Sequence, residues 1–256
     1  MIMKLNLLFF TAVLAISGCA EATFDNSAYA VDDGIVDNVI SGQTFSSNKI
    51  GTANNYGYEF WAADGATGSM TIGNGGTFRG TWSAVGQDKN ILMRRGIKFP
   101  SGLKHGTVGD IKIIYTAQWS PKGSGVDYLG VYGWFRDPLV EWYIIDDWGP
   151  YNQPPGSWEA GRTQKGTISV DGGTYTIWRS TANSYHIDGY GPFTKYWSVR
   201  TSRRSTGGTV SVSEHFKKWE SLGMTLGTIY EAALLVEGNN SSGSAKITKN
   251  SFVITQ

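Results

Sequence analysis

Pro138-Leu139-Val140-Glu141-Trp142-Tyr143-Ile144-Ile145-Asp146-Asp147-Trp148-Gly149 is an aromatic and β-branched run with a carboxylate, Glu141, set into its apolar part. Such a run reads as a strand. Side chains alternate across a strand, so Leu139, Glu141, Tyr143 and Ile145 share one face. Val140, Trp142 and Ile144 form the other, a core face. The pattern returns in Leu234-Leu235-Val236-Glu237-Gly238, where Leu234 and Val236 face one way and Leu235 and Glu237 the other. Glu is disfavoured in strands and rarely buried unless paired. Either both glutamates lie on edge strands facing water, or two carboxylates are held on one working face.

Outward from these stretches the chain reads as strand after strand. Candidates are 58–61, 69–72, 77–84, 110–119, 127–135, 139–145, 167–170, 174–179, 193–200, 230–237 and 245–254. Gly73-Asn74-Gly75-Gly76 and Asp171-Gly172-Gly173 are turn signals, because these residues accept positive φ. One segment breaks the pattern. In Ser213-Glu214-His215-Phe216-Lys217-Lys218-Trp219-Glu220-Ser221-Leu222-Gly223 the apolar residues Phe216, Trp219 and Leu222 recur every third position. Ser213 can N-cap, Glu214 suits the first turn, and Gly223 fits C′. The expectation is an all-β, single domain with one short helix at about 213–222.

Glycine numbers 34 in 256 residues, roughly twice the usual share of about 7%. That supplies turns for many strands. The net charge of +1 and the scattered Lys and Arg exclude the basic stripe of a nucleic-acid binder. Ten Trp and thirteen Tyr either fill the core or leave aromatic faces for flat ligands such as sugar rings.

The N-terminus reads as an export signal. Lys4 is followed by the apolar segment Leu5 to Ile16, shorter than the about 20 residues a spanning helix needs. Ile16-Ser17-Gly18-Cys19 resembles a bacterial lipobox, and Cys19 is the only cysteine. Lipidation of Cys19 after removal of residues 1–18 is one reading. Cleavage of an ordinary signal after Ala28-Tyr29-Ala30 is the other. A lipid anchor would make the protein a cell-surface or outer-membrane lipoprotein; otherwise it is secreted. Residues 19–47, small, polar and acidic, read as a flexible tether, with the folded domain spanning 48–256.

Pro138 to Gly149 is similar to the nucleophile signature of glycoside hydrolase family 11 xylanases. The family's later blocks follow in order: Asp171-Gly172-Gly173-Thr174-Tyr175, Tyr196-Trp197-Ser198-Val199-Arg200, and His215 to Met224. Glu237-Gly238 with Ser241-Ser242-Gly243-Ser244-Ala245 resembles the acid/base signature. The lead-in Tyr230-Glu231-Ala232-Ala233-Leu234 resembles the rumen-bacterial and anaerobic-fungal branch. The resemblance implies a jelly roll of two curled antiparallel sheets with a deep cleft. It implies an endo-β-1,4-xylanase acting on xylan and xylo-oligosaccharides as a monomer, with no metal or cofactor. Glu141 would be the nucleophile and Glu237 the general acid/base of a retaining reaction, their carboxyl groups about 5–5.5 Å apart. Tyr132 and Tyr143 fall at cleft tyrosines, Trp61 at a sugar-stacking tryptophan, and Trp134 and Trp197 at cleft-floor positions. Ile187 belongs to the thumb loop. Asn90 falls at the residue that touches the acid/base, where Asn implies a near-neutral optimum.

The chain departs from the family at three places. Thr181 to Gly189, in the thumb, lacks the usual Arg and Pro although Ile187-Asp188-Gly189 is kept. Lys195 replaces a Gln and shares a face with Trp197, so it can reach the cleft near Glu141. Asn239 replaces an aromatic after Glu-Gly. These changes keep open a non-catalytic, xylan-binding surface lipoprotein. A jelly-roll cellulase of the related clan is a third reading.

Overall fold

A computed structural model describes residues 36–86 and 88–255. The expected export segment 1–18, Cys19 and residues 20–35 of the expected tether lie outside the described residues. In chain order the elements are β1 (Thr44–Phe45), β2 (Lys49–Ala53), β3 (Tyr56–Ala62), β4 (Thr67–Ile72), β5 (Phe78–Ala84) and β6 (Asn90–Lys98). Then come α1 (His105–Val108), β7 (Asp110–Lys122), β8 (Val126–Arg136), β9 (Val140–Trp148), β10 (Ala160–Val170) and β11 (Gly173–His186). The chain closes with β12 (Gly189–Arg200), β13 (Gly207–Ser211), α2 (Val212–Ser221), β14 (Thr228–Asn239) and β15 (Ser241–Thr255).

The strands form two sheets, one of six in the order β1-β4-β5-β15-β7-β13 and one of nine in the order β10-β11-β12-β9-β8-β14-β6-β3-β2. This is the expected jelly roll, with three corrections. A single-turn second helix, α1, joins the expected one. The pairing of β9 with β12 is parallel, Lys195 standing opposite Glu141. The reason is the connection 149–159, which carries the chain across the sheet before β10, so that β12 arrives running the same way as β9. The folded part also begins ahead of Asn48. Asp37 N–H donates to Thr248 O at 2.9 Å, Arg79 Nε donates to Ile40 O at 3.1 Å, and β1 pairs with β4. Ile40 and Phe45 are apolar anchors that water-facing composition around them concealed.

Alternation sorts the large sheet as the sequence implied. Val140, Trp142, Ile144, Leu234 and Val236 join the main core between the sheets, while Tyr143, Ile145 and Leu235 join a second cluster on the opposite face. α2 braces the core side of β9: the Phe216 and Trp219 rings lie 5.0 and 6.3 Å from Trp142. Its end is a Schellman motif, with Gly223 at φ 73° and Met224 N–H donating to Trp219 O at 3.0 Å. Its start corrects the cap assignment. Ser211 holds the N-cap position, and the Ser213 hydroxyl instead accepts from Ile111 N–H at 2.8 Å, tying the helix to β7.

His215 of α2 is fully buried, edge-on to Tyr175 at 4.8 Å, and neither ring nitrogen has a hydrogen-bond partner among the described residues. Burial, with the Arg204 charge second, pushes its pKa down to about 3. Below the unfolded-state pKa of about 6.5 the unfolded chain takes up a proton that the folded chain refuses. Stability therefore falls as pH drops from about 6.5 towards 3, by several kcal/mol at about 1.4 kcal/mol per pH unit. In His215→Phe the fall in Tm between pH 7 and pH 4 should be clearly smaller than in the wild type. An equal fall in both proteins would show that His215 does not set the acid sensitivity.

Candidate active site

The face of the nine-stranded sheet turned away from the main core gathers the side chains that alternation directs there, and the cleft lies on it. Register does the assembling. Glu141 of β9 lies opposite Trp134 of β8, Tyr143 opposite Tyr132, and Glu237 of β14 between Tyr128 of β8 and Leu92 of β6. Both glutamates are buried, so neither is a water-facing edge residue. They line a cleft of about 660 Å³ together with Trp61, Asn90, Tyr132, Trp134, Tyr143, Ile187 and Lys195. A second hollow of about 480 Å³ continues past the pair, sharing Asn90, Tyr143, Lys195 and Glu237 with the first and adding Tyr128, Trp158 and Asn239. Another hollow, on the six-stranded sheet around Gln118, Trp119 and Ser244, is lined by no Asp or Glu.

The two carboxylates sit in different surroundings. Tyr132 OH donates to Glu141 Oε1 at 3.0 Å, and Trp134 Nε1 donates to the Tyr132 hydroxyl. Lys195 Nζ lies 4.0 Å from Glu141 Oε2. Burial pushes the Glu141 pKa up, while the Lys195 cation and the Tyr132 and Tyr143 hydroxyls pull it back towards the ionised form. Glu237 accepts one hydrogen bond, from Asn90 Nδ2 to Oε1 at 3.0 Å, and its Oε2 has no partner among the described residues. Burial, with the nearby Glu141 charge second, raises Glu237 to about 7. One carboxyl is thus supported as an anion and the other as an acid.

The remaining sequence candidates fall as follows. Trp61 lines the cleft and keeps 39% of its surface exposed. Trp134 and Trp197 are 3% and 1% exposed. Trp197 stacks flat beneath Tyr143, with centroids 4.2 Å apart, and fixes that ring's plane. The thumb is the tip of the β11–β12 hairpin, paired without a break from Tyr175–Arg200 to His186–Gly189. In place of the missing Arg and Pro, Asp188 receives a two-pronged bond from Arg136 Nε and Nη2, and the Arg136 guanidinium lies 4.3 Å over the Tyr230 ring. That tether holds Ile187 against the cluster around Trp134.

Sequence reading missed several groups here. Arg94 on β6, which lines the cleft with Glu59, lies 5.1 Å over the Tyr132 ring and pairs with Glu59 and Glu231. The whole of β6 went unassigned as a strand, because Arg94-Arg95-Gly96 interrupts its apolar alternation. Arg95 is fully buried and donates to the carbonyls of Gly73, Thr77 and Ala53, which are main-chain partners that sequence spacing does not reveal. Glu159, at the end of the crossover 149–159, was missed for want of any strand pattern around it.

The family described as Glycosyl hydrolases family 11 matches residues 53–248. An endo-1,4-beta-xylanase A of Thermoclostridium stercorarium is 48% identical over 84% of this chain, which spans 31% of that protein's length. An endo-1,4-beta-xylanase A of Bacillus pumilus is 46% identical over 83% of this chain and 87% of its own. Among solved structures, the family 11 xylanase from Neocallimastix patriciarum superposes with a TM-score of 0.75 at 34% identity, over 83% of this chain and 100% of that one.

Proposed function

Since the chain belongs to glycosyl hydrolase family 11, we propose that it is an exported endo-β-1,4-xylanase with a retaining mechanism. The observation that carries the reading is the contrast between the two buried carboxyls. Glu141 lies beside a cation and two hydroxyls, and Glu237 is raised to about 7 with one oxygen unpartnered among the described residues. In the first step a Glu141 oxygen bonds to the anomeric carbon as the bond to the leaving oxygen breaks, and Glu237 gives that oxygen its proton. In the second, the now ionised Glu237 takes a proton from water. The water oxygen bonds to the anomeric carbon and releases Glu141. Acid, base and nucleophile all come from the two side chains, so the reading calls for no cofactor.

Hollows on both sides of the pair suit attack within a chain rather than at its end. Trp61 supplies a stacking face in the cleft. Tyr132 and Tyr143 hold the nucleophile, Asn90 the acid/base, and Ile187 closes the cleft from the thumb. Export rests on the 1–18 segment and a lipid anchor on Cys19. Cells expressing the full chain should release short xylo-oligosaccharides from soluble xylan, with the activity in the membrane fraction. Cys19→Ala should move it to the soluble fraction. Xylan retained without any release would instead favour the non-catalytic binding protein, and release from cellulose alone the cellulase.

A further inference from the structure

Glu159 reaches the cleft from the crossover connection rather than from a cleft strand. Its side chain is 11% exposed, and Lys195, also largely buried, places Nζ 3.1 Å from Glu159 Oε1 but 4.0 Å from Glu141 Oε2. The other oxygen of Glu159 accepts from the Ser180 hydroxyl at 3.2 Å, and that hydroxyl accepts from Trp197 Nε1 at 2.9 Å. Ser180 is fully buried, so the chain Trp197–Ser180–Glu159 is fixed by the sheet. The ammonium is thus held towards Glu159 by a direct hydrogen bond and kept short of contact with Glu141.

We propose that Glu159 is a positioning residue for the nucleophile: it holds the Lys195 ammonium close enough to Glu141 to act as a counter-charge, yet out of a contact ion pair. The proposal rests on the hydrolase reading and adds to it a residue acting through Lys195. The distinction matters because attack uses a carboxylate lone pair. A contact pair at about 2.8 Å would engage that lone pair in a charge-assisted hydrogen bond. At 4.0 Å most of the Coulomb attraction is kept, since it falls only as 1/r. Burial opposes the Lys195 charge, but Glu141 and Glu159 outweigh it and hold its pKa above the ordinary value.

The groups facing this cluster are Glu237 of β14, Tyr128 and Tyr132 of β8, Tyr143 of β9 and, beyond Tyr132, Arg94 of β6. None of them hydrogen-bonds the ammonium, whose one such partner among the described residues is Glu159.

The test compares Glu159→Gln, Lys195→Gln and the double variant, each checked for folding by thermal unfolding. In Glu159→Gln the released ammonium should close on Glu141. kcat should then fall about tenfold or more with KM changed less than about threefold. The Glu141 and Glu237 titrations should both move to lower pH by about one unit, the scale of a charge change within 4–6 Å. Lys195→Gln should move Glu141 to higher pH, and the double variant should fall between the two and recover much of the lost kcat. Carbon-13 NMR of the glutamate carboxyls reads these titrations in substrate-free protein. A wild type inactive on xylan would therefore overturn the hydrolase reading while the inference is still decided. Unmoved titrations in Glu159→Gln, or a double variant no better than that single one, would overturn the proposal. Should Glu159→Gln fail to fold, an unmoved Glu141 titration in Lys195→Gln overturns it as well.

Discussion

Glu141→Ala should lower kcat on xylan by about 10⁴-fold or more, the scale on which removing a covalent nucleophile disables other hydrolases. The fold should survive. β9 is packed from behind by Phe216 and Trp219 of α2 against its Trp142, and Lys195 keeps Glu159 as its partner when Glu141 is gone. The groups left stranded are the Tyr132 and Tyr143 hydroxyls, which lose their acceptor at a cost of about 1–3 kcal/mol each. The truncation also opens a small hole facing the anomeric carbon. Formate placed there should restore part of the turnover of an aryl xylobioside with a good leaving group. Because a second displacement on Glu141 is then impossible, the product should be the inverted glycosyl formate. Residual xylan activity within tenfold of wild type would remove Glu141 from the reaction. Rescued turnover that passes through no glycosyl formate would remove it as the covalent nucleophile.

Glu237→Gln should separate the two half-reactions. Xylan has a poor leaving group, and losing the proton donor should cost about 10²–10⁴-fold, the range of general acid catalysis. An aryl xylobioside whose phenol leaves without help should form the glycosyl-enzyme at a nearly normal rate. Hydrolysis of that intermediate then stalls, since no carboxylate activates water. A burst of phenol followed by slow turnover is the expected trace. The pH dependence follows from the same group. Glu237 must be protonated to act first, and its pKa is about 7, so wild-type kcat/KM should fall as pH rises through about 7. On the acid side the rate should fall as Glu141 takes up a proton. Asn90 cannot ionise, so its hydrogen bond to Glu237 persists across this range and the optimum stays near neutral. A basic limb unchanged in Glu237→Gln on the aryl substrate, or a wild-type maximum well below pH 5, would assign the acid role elsewhere.

The sequence by itself determined which way each side chain on β9 and β14 points, and so isolated Glu141 and Glu237 from the residues around them. Alternation is a property of the local backbone, with a period of two that holds wherever the strand ends up. The α2 helix was legible for the same reason, since its Phe216 and Trp219 spacing and its Gly223 stop act within a few residues. The family blocks added roles to these positions. Tertiary structure alone decided the rest. Which strands lie side by side, and in what register, depends on pairings between distant segments. Only those pairings set Tyr132 on Glu141 and Asn90 on Glu237. The segment 36–47 looked like tether because its few anchors, Asp37, Ile40 and Phe45, find partners far along the chain. β6 hid because its arginines are buried against carbonyls and carboxylates from other elements. Glu159 had no local mark at all. Its place beside Lys195, 36 residues on, comes from the path of the crossover and the parallel docking of β12 on β9, and chain path is a long-range outcome that no local period records.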